Sequence, residues 1–159
     1  VDTRIQKALS GEIDGVILAA SAMKRLGWED RITEYLPTEH FLPEIGQGAL
    51  GIETRDNDKE TRAVASHLNH QPTWYSIVAE RAYLTALGGG CRAPIACLAT
   101  VQDGQLKLDG LVGDTRGKRI IRASAQGKAM DAEQIGLALG RKMMGMGALE
   151  LINEARADD

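Results

Sequence analysis

The spacing of apolar residues changes rhythm along the chain, and each rhythm predicts a different element. Ile13 to Ala20 is an apolar run with an acidic start, the pattern of a strand buried on both faces of a parallel sheet. Before it, Asp2 or Thr3 can cap a short helix through Leu9 that Gly11 ends. After it, Ser21 can cap a helix over Ala22–Leu26, closed by Gly27, and Arg31 to Leu36 reads as one more helical turn before Pro37. Strand and helix alternating in this way predict an α/β layer.

Phe41 to Glu53 is extended and apolar but punctuated by Pro43, Gly46, Gly48 and Gly51, which predicts a strand, a crossing and a second strand. Asp58 can cap a helix over Lys59–Leu68 whose Val64 and Leu68 share a face. The character changes after Asn69-His70-Gln71-Pro72. Thr73 to Leu87 predicts a long helix with Trp74, Ile77, Val78, Ala82 and Leu84 as its apolar stripe. Ile95 to Val101 reads as a strand, Asp103-Gly104 as a tight turn, Gln105 to Val112 as an alternating second strand, and Arg119 to Ala125 as a third. Asp131 with Gln134 forms a capping box for a last helix, which glycines 136, 140, 145 and 147 weaken. Residues 71–159 therefore predict a small α+β unit with a three-stranded antiparallel sheet and packed helices.

Composition narrows the class. The 159 residues are 43% hydrophobic and 26% charged, as in ordinary globular proteins, and the net charge of -3 offers no general field for nucleic acid or anionic membrane. No apolar run approaches the roughly 18 residues of a spanning helix. Two cysteines six positions apart, without partners at metal spacing, predict neither a disulfide framework nor a metal site and suit a reducing, cytoplasmic setting.

The candidate chemistry lies in Leu87-Gly88-Gly89-Gly90-Cys91-Arg92-Ala93-Pro94-Ile95. The glycines free the backbone where the long helix stops, and Arg92 favours the thiolate of Cys91. Local chemistry alone favours a glycine-rich turn that happens to hold a cysteine. His40, His67 and His70 stand in no base motif, which argues against a thiol hydrolase. Cys97, inside an apolar strand, reads as a small buried hydrophobe.

Longer motifs carry more. Glu80-Arg81-Ala82 followed by Gly89-Gly90-Cys91-Arg92-Ala93-Pro94-Ile95 resembles the cofactor-attachment segment of the porphobilinogen deaminase (hydroxymethylbilane synthase) family. Leu42 to Glu53 is similar to that family's inter-domain pattern LPxxGQGxxGIE, and Asp14 to Gly27 to its DxxILAxxxxxRLG pattern. These matches stand in the family's order over most of the chain.

The resemblance implies a transferase of tetrapyrrole (haem) biosynthesis. It joins four porphobilinogen molecules head to tail into hydroxymethylbilane, losing ammonia each time, on a dipyrromethane primer held by a thioether. Cys91 matches the anchoring cysteine, with Gly89 and Gly90 giving the arm room to move, and Arg4, Arg25 and Arg55 match positions that hold pyrrole carboxylates. Arginine suits that task because its planar fork binds a carboxylate through two hydrogen bonds. Arg116, Arg119 and Arg156 are left as surface charges.

The family's catalytic aspartate lies in its N-terminal part, so no catalytic residue is assigned in this chain. Asp14, Asp56 and Asp103 read as strand-start, cap or turn residues. The implied architecture is a remnant of periplasmic-binding-protein-like α/β domains followed by the α+β unit. Residues 1–42 would end the second domain, 43–70 would cross back to the first, and 71–159 would form the attachment domain. The expected partners are the substrate and the missing N-terminal half, in an enzyme that is a monomer when whole. The alternative is a non-catalytic fragment, inactive without that half.

Overall fold

The computed structural model describes residues 1–88 and 93–157. Its backbone contacts divide the chain into two units, Val1–Phe41 and Leu42–Asp159.

In the first unit, α1 spans Asp2–Leu9, with Val1 as N-cap and no side-chain cap. α2 spans Ala20–Arg25, again without the side-chain cap expected of Ser21. Its end is a full Schellman closure: Gly27 N–H donates to Lys24 O at 3.0 Å and Trp28 N–H to Met23 O at 3.0 Å. A single 3-10 turn, Glu29–Arg31, replaces the helical turn expected over Arg31–Leu36. The Arg31 guanidinium lies 4.6 Å from the Trp28 ring centre. Ile13–Ala20 does not form the expected buried strand: residues 15–19 are irregular, Ala20 opens α2, and Ile17 is 61% exposed. A two-sided strand needs neighbours on both edges, and among the described residues no strand precedes Ile95. Only Ile5 and Met23 are buried in this unit.

The second unit begins with an irregular stretch. The two strands expected over Phe41–Glu53 are absent, and a turn over residues 45–48 takes their place, with Gly46 and Gly48 both at positive φ. α3, Lys59–Ser66, starts where expected: Asp58 Oδ1 accepts from Thr61 N–H at 3.0 Å and Oδ2 from the Thr61 hydroxyl at 2.8 Å. Val64 and Leu68 stay exposed.

α4, Gln71–Ala86, carries Pro72 in its first turn, where a missing N–H costs nothing. β1 (Ile95–Gln102), β2 (Gln105–Gly113) and β3 (Ile120–Lys128) form an antiparallel meander in the order β1-β2-β3. Asp103 and Gly104 both take positive φ, as a two-residue hairpin with the right twist requires. The register sets Cys97 opposite Gly110 and Gly110 opposite Ala123, so alternate residues of all three strands share one face. α5 (Ala132–Gly145) and α6 (Ala148–Ala157) follow, with Asp131 as N-cap of α5 but without a side-chain cap bond.

The core lies between this sheet and the helices, built on Tyr83, Leu87, Leu106, Leu108, Leu139 and Ile152. Glycines 136 and 140, expected to weaken the last helix, are instead what lets α5 approach α4. A Cβ on Gly136 would stand 2.2 Å from Ala79 O, and one on Gly140 2.5 Å from the Ala86 Cβ. The buried side of α4 is accordingly Ala79, Glu80, Ala82 and Tyr83 rather than the larger residues of the expected stripe, and Trp74 is 49% exposed. The three-stranded antiparallel sheet with packed helices is the α+β unit read from the pattern of apolar positions.

Candidate functional site

Gly89, Gly90, Cys91 and Arg92 lie outside the described residues. What frames them is well defined. α4 leads in and ends at Leu87, whose N–H donates to Tyr83 O at 3.2 Å, while Gly88 N–H donates to Thr85 O at 3.0 Å. The Gly88 carbonyl accepts a hydrogen bond from the Arg156 guanidinium at the end of α6. On the far side, Pro94 O accepts from Gly113 N–H at 3.0 Å, which fixes the entry to β1.

On α4, about two turns before Leu87, sits the carboxylate of the Glu80-Arg81-Ala82 motif. Glu80 is 4% exposed, the only buried charged residue among the described residues. Its Oε2 accepts from Gly46 N–H at 2.8 Å and its Oε1 from Ala99 N–H at 2.9 Å. Burial pushes its pKa up, and the hydrogen bonds from Ala99 and Gly46 pull it down by less. Cys97 N–H donates to Pro43 O at 3.3 Å, and Ile45 packs against the core. The stretch Pro43–Gly46 thus covers the outer edge of β1, an edge that would otherwise present unpaired N–H groups. A signal for Glu80 existed: it shares helical spacing with Tyr83 and Leu87, both buried.

Cys97 is fully buried, as expected of a small hydrophobe. Burial pushes its thiol pKa far up, with the charge of Glu80 adding to the effect, so it stays a thiol. Tyr83 lies across Gly110, where a Cβ would meet its ring at 2.9 Å, and its hydroxyl donates to Leu111 O at 3.3 Å.

The three candidate carboxylate-binding arginines are exposed. Arg4 lies on α1 and Arg25 ends α2, both in the first unit, whereas Arg55 lies in the irregular stretch before α3 in the second. None of them pairs with an acidic side chain among the described residues, in contrast to Arg62, which meets Asp56 at 3.3 Å. Their guanidinium groups are open to anionic ligands. Two of the three arginines left as surface charges behave otherwise. Arg119 bridges Asp114, Glu150 and Glu154, and Arg156 holds Gly88. Among the described residues no group of His, Cys, Asp and Glu could hold a metal ion, and no helix is long and apolar enough to cross a membrane.

Residues 1–63 match the family model of the porphobilinogen deaminase dipyrromethane cofactor binding domain, and residues 74–145 that of the porphobilinogen deaminase C-terminal domain. Arg4, Arg25 and Arg55 all fall within the first match. A porphobilinogen deaminase of Geotalea uraniireducens (strain Rf4) is 42% identical over 154 residues, covering 97% of this chain and 48% of the relative. The chain therefore spans about half the length of the curated relative it matches. With two domain models of one family matched in succession over most of its length, the chain belongs to the porphobilinogen deaminase family.

Proposed function

We propose that this chain serves tetrapyrrole biosynthesis as the C-terminal portion of a hydroxymethylbilane synthase, a transferase that joins four porphobilinogen molecules and releases ammonia. The observation that carries this reading is the consecutive match of both domain models, with 42% identity maintained across 97% of the chain. Residues 1–42 close its second α/β domain, 43–70 return to the first, and 71–159 form the unit that presents Cys91 to the cytoplasmic enzyme's cleft. The remaining half of the enzyme supplies the catalytic aspartate.

The residues present suit a dipyrromethane group. Each of its rings bears an acetate and a propionate, and three exposed guanidinium groups without acidic partners among the described residues are the donors such carboxylates need. Arg4, Arg25 and Arg55 hold these carboxylates, and Cys91 provides the sulfur for the thioether. Dipyrromethane, when bound, supplies the primer on which the tetrapyrrole is built. Cys97 cannot compete for it, because its thiol is buried under the sheet and held protonated.

Intact mass of the complete enzyme tests the assignment. Cys91→Ser is expected to lack the adduct and Cys97→Ser to retain it. An adduct surviving in the Cys91→Ser protein would overturn the assignment.

A further inference from the structure

Glu80 is placed at a cost. A buried carboxylate loses its hydration, and here burial outweighs the two hydrogen bonds in setting its proton affinity. Its neighbours on the buried side of α4 are Ala79, Ala82 and Tyr83, where an apolar side chain of similar volume would avoid that cost but would leave the Gly46 and Ala99 N–H groups without their acceptor. Burial alone does not explain the choice of residue.

Geometry does. The two oxygens accept from two different segments: Gly46, 34 positions before Glu80, and Ala99, 19 positions after it. Neither a methionine nor a glutamine could do the same, since the first has no strong acceptor and the second turns an NH2 toward one of the two N–H groups. Ala99 lies on β1, whose other edge is occupied by β2. Gly46 lies in the turn over residues 45–48, in the segment whose Pro43 carbonyl takes the Cys97 N–H.

We propose that Glu80 is a positioning residue whose carboxylate clamps the Gly46 turn to the outer edge of β1, so that the inter-domain segment and the strand leading out of the cysteine-bearing stretch move as one body. This deepens the function proposed above, in that the clamp ties the base of the cofactor arm to the crossing between domains. The test below reads the clamp without the cofactor, so its failure is distinct from failure of the adduct measurement.

Residue-resolved amide hydrogen exchange on the 159-residue chain, with Glu80→Gln and Glu80→Met, decides it. The amides of Leu106 and Leu108, on the central strand, report global opening. Relative to Leu106 and Leu108, Gly46 and Ala99 are both expected to exchange at least about tenfold faster in Glu80→Met, the loss of one hydrogen bond each, and at least one of them is in Glu80→Gln. If Gly46 and Ala99 change only in step with Leu106 and Leu108, whether all stay protected or all open together, Glu80 is not a clamp.

Discussion

At the residue scale, Glu80 is the one buried acidic or basic side chain among the described residues, and the others reach solvent. Arg4, Arg25 and Arg55 are exposed, and exposed charges contribute little to stability. Replacing each with Leu in the complete enzyme should therefore leave the unfolding midpoint nearly unchanged while impairing primer assembly or elongation. Turnover equal to wild type in all three variants would return them to the status of surface residues. Glu80 behaves in the opposite way. Its pKa lies above the ordinary 4.5, so the folded state binds the proton more tightly than the unfolded chain. Its contribution to stability is then complete below that ordinary value and is lost as pH rises through the raised one. The unfolding free energy of wild type minus that of Glu80→Gln should fall as pH is raised from below the ordinary 4.5 toward neutrality, measured by urea titration. A difference that is flat or rises over this range would contradict the burial that sets the shift.

At the element scale, the contrast between glycines separates what a sequence discloses from what it conceals. β1, β2, β3 and their hairpin were legible because alternation and Asp103-Gly104 are local signals, and α4 because its length and Pro72 are. Gly136 and Gly140 were misjudged because propensity prices a glycine within its own helix, whereas these two are set by the helix opposite. Ile13–Ala20 was misjudged for a related reason: an apolar run specifies a strand only when edges are there to pair with it. Of the candidate site, the motifs single out Cys91 and the arginines as candidates, whereas the part Glu80 plays depends on Gly46 and Ala99 arriving from distant positions. The glycines yield a direct test. Gly136→Ala sets a methyl group 2.2 Å from a backbone carbonyl oxygen that cannot swing aside, whereas a Cβ on Gly145 meets nothing within 4 Å. Gly136→Ala should destabilise by on the order of 3 kcal/mol, and Gly145→Ala should be neutral or stabilise by up to about 1 kcal/mol. Equal midpoints for the two variants in urea would mean that α4 and α5 are not as close as their backbones indicate.

At the scale of the whole molecule, burial is distributed unevenly between the two units, and the expected behaviour follows from that. The second unit holds nearly all of the core, from Ala79 to Ala155, whereas the first buries only Ile5 and Met23 and leaves Leu9, Ile17, Leu26 and Tyr35 more than two-fifths exposed. α3 buries no residue at all. Segments with few buried apolar contacts open locally at little cost in free energy, so their amides exchange early. Residues 71–157 should show slow exchange in the isolated chain, and residues 1–66 should exchange and be cut by protease first. Large apolar side chains left in solvent are also surfaces for association, which fits a chain that spans 48% of its relative and, on the proposed function, works with the other half of the enzyme. The same reasoning predicts no turnover of porphobilinogen by this chain alone, since acid–base work on the leaving amine needs a preorganised carboxylate in the cleft. Among the described residues the one buried carboxylate, Glu80, already has both oxygens engaged by backbone N–H groups. Adding the complementary N-terminal half should slow exchange over residues 1–66 and restore bilane formation together. A monomer that protects residues 1–66 as fully as the sheet and makes bilane unaided would show that the catalytic machinery is already complete in these 159 residues.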